Sequence, residues 1–161
     1  MDFAHMRHQR IIFAAGGAFA LAFAAVSASA STLTDPASGA TCTDGQDVRI
    51  TKDHFSLVLE GRCGAITITA SDGSLNVEEA TSLHVAGNGV TVLNEKVGTL
   101  SVDGDRNTLN MTEVGEARIG GNGNMLLGTE YKRVHFRGKD NTVNTDNEPQ
   151  LEDEGSGNRV I

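Results

Sequence analysis

Glycine recurs at Gly87, Gly104, Gly121, Gly138 and Gly155, each 17 residues from the last. Three positions after the last four stand Asn107, Asn124, Asn141 and Asn158, so Gly-x-x-Asn appears as GDRN, GNGN, GKDN and GSGN. Two positions further on, Leu75, Val92, Leu109, Leu126, Val143 and Val160 form a column that is apolar in every copy. A fixed period of this length marks a repeat architecture and constrains the fold more than any other property of the chain.

The rest of the unit keeps the same period. Ile66, Leu83, Leu100, Ala117, Val134 and Leu151 form one apolar column, and Ile68, Val85, Val102, Ile119 and Phe136 a second. One residue separates the two columns in each copy, which is how a strand shows alternate side chains to a core. Thr67, His84, Ser101, Arg118 and His135 lie between them and are expected to face outward. Each unit then reads as strand, Gly-x-x-Asn corner, second short strand and second turn. Such a unit cannot bury its own apolar face, so the copies must stack. The expected fold is all-β: a single-domain parallel β-solenoid (β-helix) with 17-residue turns. About 6–7 coils fit from Val48 onward, a rod of roughly 32 Å at the usual strand spacing.

A narrow core explains a composition that would otherwise look poor. Aromatic residues make up only 4% of the chain, and four of the six Phe lie in the first 23 residues. Stacked Val, Ile and Leu need no large rings between them. The earliest coils are looser: Val48/Ile50, Leu57/Leu59, Ile66/Ile68 and Leu75/Val77 recur every 9 residues, so the period starts near 18.

Before the repeats, Arg7 and Arg10 lead into Ile11 to Val26, sixteen residues without a polar side chain, followed by Ala28-Ser29-Ala30. This is the pattern of a cleaved signal peptide over residues 1–30, too short in its apolar run for a spanning helix. Residues 31–41 then read as an N-terminal linker and 42–161 as the solenoid domain, exported to the periplasm or secreted, with no membrane span after processing. Removing residues 1–30 takes two Arg and one Asp, so 11 basic face 20 acidic residues and the charge moves from −8 to −9. That acidity argues against nucleic acid as a partner. In an oxidising compartment Cys42 and Cys63 are expected to form a structural disulfide closing the N-terminal coil.

The repeat positions suggest structural roles. The Gly column would supply positive φ or close backbone approach, and the Asn column a ladder of side-chain amides hydrogen-bonded from coil to coil. Gly120 to Asn124 superficially matches a calcium β-roll, but Asp105 and Asp140 sit at different offsets from their Gly. The strand around Arg133, His135 and Arg137 is basic in an acidic protein and, with Arg118, forms a candidate patch for an anionic ligand. The period also places Glu116 beside Arg133, Glu152 beside His135 and Glu154 beside Arg137, so charge matching between coils is the competing and preferred explanation. His84 and His135 lie three coils apart, about 14 Å, and cannot share a metal. No metal, cofactor or catalytic residue is expected.

The leader, the early Cys pair and the recurrent Val-x-Val and Gly-x-x-Asn units together resemble the bacterial family named domain of unknown function 3060, over roughly Cys42 to Ile161. The resemblance implies a small exported β-solenoid and carries no catalytic residues. The expected role is non-enzymatic, structural or binding, toward an envelope protein or a cell-surface glycan. A glycan-active enzyme or carbohydrate-binding module is the alternative, although copies of one length leave little room for a cleft. Calcium and ice binding rank lower; the outward column Ser74, Thr91, Thr108, Met125, Thr142 and Arg159 is an interrupted Thr array. Val160 and Ile161 stop mid-coil, which suggests end-to-end pairing of copies unless the acidic stretch Glu148 to Glu154 blunts that edge.

Overall fold

The computed structural model describes residues 31–43 and 45–161; the signal peptide expected over 1–30 lies outside the described residues. Eleven strands form one continuous sheet in which every pairing is parallel. They are β1 (Leu33–Thr34), β2 (Gly39–Cys42), β3 (Val48–Ile50), β4 (Ser56–Ile68), β5 (Ser74–Val85), β6 (Thr91–Val102), β7 (Thr108–Ile119), β8 (Met125–Phe136), β9 (Thr142–Thr145), β10 (Gln150–Asp153) and β11 (Arg159–Val160). There is no helix among the described residues. The sheet winds on itself as a β-solenoid, each strand pairing with the one a period away.

The register reproduces the period. Ser74 pairs with Thr91, Thr91 with Thr108, Thr108 with Met125 and Met125 with Thr142, all 17 apart. Earlier, Val48 pairs with Ile66 and Ser56 with Ser74, 18 apart. The change falls inside β4, where the register shifts between Leu59 and Arg62 and Gly61 takes φ +76°. One extra residue is absorbed there as a bulge.

Two expectations need correction. The stretch 31–41 is not merely a linker: Leu33 and Thr34 pair with β3, and Gly39 opens β2 against β4, so sheet begins before Cys42. The second turn of each unit is not a loop either. Strands β5 to β8 run 12 residues through it without a break, bending where two outward residues follow in succession. The bend carries another inward column, Cys63, Ala80, Val97, Val114 and Tyr131, beside Leu59, Val77, Asn94 and Met111. At the far end Leu151 is 55% exposed, since among the described residues no coil stacks above β10.

The Gly column works by close approach and not by positive φ. A Cβ on Gly104, Gly121, Gly138 or Gly155 would fall on the carbonyl oxygen of the Gly one coil below. Left-handed backbone occurs two residues later, at Asp72, Gly89, Arg106, Gly123, Asp140 and Gly157. Two hydrogen-bonded ladders flank that position. Asn107, Asn124, Asn141 and Asn158 each accept, through Oδ1, the backbone N–H of the residue one coil below, at 2.8–3.0 Å. Asp53, Ser71, Asn88, Asp105 and Asn122 do the reverse, accepting the N–H one coil above at 2.7–3.1 Å. The disulfide joins Cys42 on β2 to Cys63 on β4 and ties the first described coil to the next.

Candidate functional site

Two surfaces stand apart from the regular exterior. The first is the charged patch where β7, β8 and β10 lie side by side. Strand alternation turns Arg133, His135 and Arg137 outward between the buried Val134 and Phe136, and Arg118 on β7 is the register partner of His135. The four candidate ligand-binding side chains therefore do come together.

Each of them is also engaged by a carboxylate. Arg133 reaches Glu116 at 3.2 Å and Arg118 reaches the other oxygen of the same group at 2.6 Å. Arg137 Nε donates to Glu154 at 3.3 Å. His135 Nδ1 faces Glu152 at 3.9 Å and Nε2 faces Glu154 at 3.2 Å. Three Arg are thus set against three Glu, an arrangement that leaves little net positive charge for an anion. Charge matching between coils describes the geometry better than an anion site, and it extends to Arg62 with Glu79 at 2.9 Å and Lys96 with Glu113 at 3.0 Å. Glu113 holds the Lys96 ammonium above its ordinary pKa.

The separation of His84 and His135 rules out a metal shared by the two, but not one held by His135 together with carboxylates. Among the described residues His84 pairs with Asp103, at 2.8 Å, but His135, Glu152 and Glu154 offer one donor atom each within 4.8 Å of one another. Glu152 lies one period from His135, which predicts an ion pair; Glu154 joins them through side-chain reach that the period does not encode. The Asp residues weighed for calcium have other uses: Asp105 Oδ1 accepts the backbone N–H and the side-chain amide of Asn122 at 2.7 and 3.1 Å.

The second surface is the outward side of the strands that follow each Gly-x-x-Asn corner. One column holds Ser56, Ser74, Thr91, Thr108, Met125 and Thr142, in register. Its neighbour holds Val58, Asn76, Leu93, Asn110, Leu127 and Asn144. None of these twelve side chains is charged, on a chain whose net charge is −8; the first column becomes charged at its end, where Arg159 on β11 is the register partner of Thr142. Val58, Leu93 and Met125 are 46–49% exposed and are three of the five exposed large hydrophobic residues described. Met125 breaks the hydroxyl array where sequence placed the break.

Residues 102–157 match the family described as "Protein of unknown function (DUF3060)". The likeness to that family covers about a third of the chain. The segment holds Asn107, Asn124 and Asn141 of the ladder together with the charged patch. The description assigns the family no activity, and no curated protein and no solved structure matches the chain.

Proposed function

We propose that this protein is an exported, non-enzymatic component of the cell envelope that binds another protein through its uncharged outward face. The observation that carries this reading is the run of twelve uncharged side chains across β4 to β9, with Val58, Leu93 and Met125 exposed among hydroxyls and amides. Exposed apolar side chains in a polar frame are what a protein-binding surface presents. No aromatic ring lies on this face for a sugar to stack against, which favours protein over glycan. The uniform 17-residue register from β5 onward supports a non-enzymatic role, since no coil carries an insertion that could wall a cleft.

The size of the face bears on the kind of partner. Six strands at about 4.8 Å by a four-residue width give roughly 300 Å², well below the ~800 Å² per partner of a stable interface. The partner is therefore engaged weakly or in repeated copies. The test is affinity capture from the native envelope with the wild-type chain, with a Leu93→Lys, Met125→Lys variant, and with Glu130→Gln on another face as control. A protein held by wild type and control but lost by the Lys variant supports the reading. Equal capture by all three, or binding on a glycan array that the Lys substitutions abolish, overturns it.

A further inference from the structure

We infer that His135, Glu152 and Glu154 form a binding site for a divalent transition-metal cation of the zinc or nickel class, which clips β10 onto β8. Backbone pairing fixes two of the three positions: Glu152 is the register partner of His135, and the Glu154 N–H donates to the Phe136 carbonyl at 2.9 Å. The donor atoms lie within 4.8 Å of one another. A tetrahedral zinc with ligands at 2.0–2.2 Å wants them about 3.4 Å apart, a gap that side-chain rotation of the two exposed Glu can close without moving backbone.

The histidine supplies an independent observation. Its side chain is only 18% exposed, and Nε2 is buried with no hydrogen-bond partner. The Glu154 carboxylate approaches that nitrogen at 3.2 Å but out of line for a hydrogen bond. A buried imidazole nitrogen without a hydrogen bond, with the Glu154 carboxylate beside it and Glu152 beside the other ring nitrogen, suits a cation that takes a nitrogen lone pair. Imidazole selects zinc, nickel or copper over magnesium or calcium, which prefer all-oxygen sites. Three protein donors leave a fourth position for water.

The surrounding charges set a competition. Arg118 and Arg133 are both held by Glu116; among the described Arg and Lys, Arg137 is the one paired with the triad, through Glu154 at 3.3 Å. Its positive charge competes with a cation for that carboxylate, so removing it should help. Zinc titration of the folded chain by calorimetry is expected to saturate at one equivalent. His135→Gln and Glu152→Gln should each weaken binding about tenfold or more, His84→Gln should change nothing, and Arg137→Gln should tighten binding several-fold. A merely structural lesion would not produce that last result. Hydrogen exchange of the Gln150–Asp153 amides should slow on adding zinc. Absence of saturable binding, binding that survives His135→Gln, equal affinity for calcium, or no tightening in Arg137→Gln would each overturn the site.

Discussion

The backbone N–H of Asn107 donates to Oδ1 of Asn124, one coil away, at 2.8 Å. The Asn124 amide in turn donates to the Gly104 carbonyl and to Asn141 Oδ1, both at 3.0 Å. One buried side chain thus satisfies backbone groups at a corner where the parallel ladder is interrupted, and the corner would otherwise strand them away from water.

Asn124→Ala should accordingly cost more than a surface amide is worth. It leaves the Asn107 N–H and the Gly104 carbonyl without their bonds in a buried site, an expected loss of about 2–4 kcal/mol. Asn158 makes similar bonds but is only half-buried, so water can replace them and Asn158→Ala should cost about 1 kcal/mol. Urea unfolding measures both, and equal losses would contradict a ladder that matters through burial.

Two glycines two residues apart separate close approach from backbone conformation. Gly121 packs against the Gly104 carbonyl, whereas Gly123 sits at φ +63° and an added Cβ there would meet only the Arg106 side chain, at an ordinary contact distance of 3.9 Å. Gly121→Ala must push coils apart and should lose about 3 kcal/mol or more. Gly123→Ala places an L residue in the left-handed region for about 1 kcal/mol. Arg106, one coil below Gly123, already takes φ +54°, so Arg106→Gly should be near neutral as relieved strain offsets added unfolded-state freedom. Melting temperatures of the three variants should follow this order, and reversal of the two Ala variants would refute it.

Those residues also show what the sequence could and could not reveal. Columns of one residue type were legible: the Gly and Asn corners, and the alternating pairs such as Leu83 and Val85. Columns in which different residues do one physical job were not. Asp72, Gly89, Arg106 and Gly123 share a left-handed backbone, and Ser71, Asn88, Asp105 and Asn122 share one hydrogen bond, yet no common letter marks either set. The column from Cys63 to Tyr131 was hidden because the bend places Thr112 and Glu113 outward in succession, which breaks alternation. In the charged patch the individual ion pairs were legible, but the meeting of His135 with two carboxylates depends on side-chain reach beyond the period.

Cys63 heads that hidden column, and its link to Cys42 crosses from β4 to β2, 21 residues earlier. Replacing both with Ala, which the adjacent Ala80 shows the column accepts, should cost about 3 kcal/mol through lost chain constraint. Circular dichroism should still show sheet, because the coils from β5 onward stack independently of the link. Reducing the wild type should give the same shift in melting temperature; a larger loss on reduction than on substitution would mean the buried thiols themselves destabilise the coil.

Tyr131 sits at the other end of the same column, fully buried, and its ring fills space beside Gly128, where a Cβ would strike it. The hydroxyl donates to the Leu127 carbonyl at 3.3 Å. Burial disfavours the phenolate and raises its pKa well above 10.0. A folded-state pKa above the unfolded value means the contribution to stability is complete below pH 10 and is lost as pH rises past it. Tyr131 is the only Tyr and there is no Trp, so tyrosinate absorbance reports this site alone. On raising pH above about 10, absorbance should appear together with loss of sheet in one transition. Tyr131→Phe should cost no more than about 1 kcal/mol at neutral pH, and its alkaline transition should move to higher pH. Tyrosinate forming near pH 10 while the sheet stays intact would show that the ring is open to solvent and that the column does not close around it.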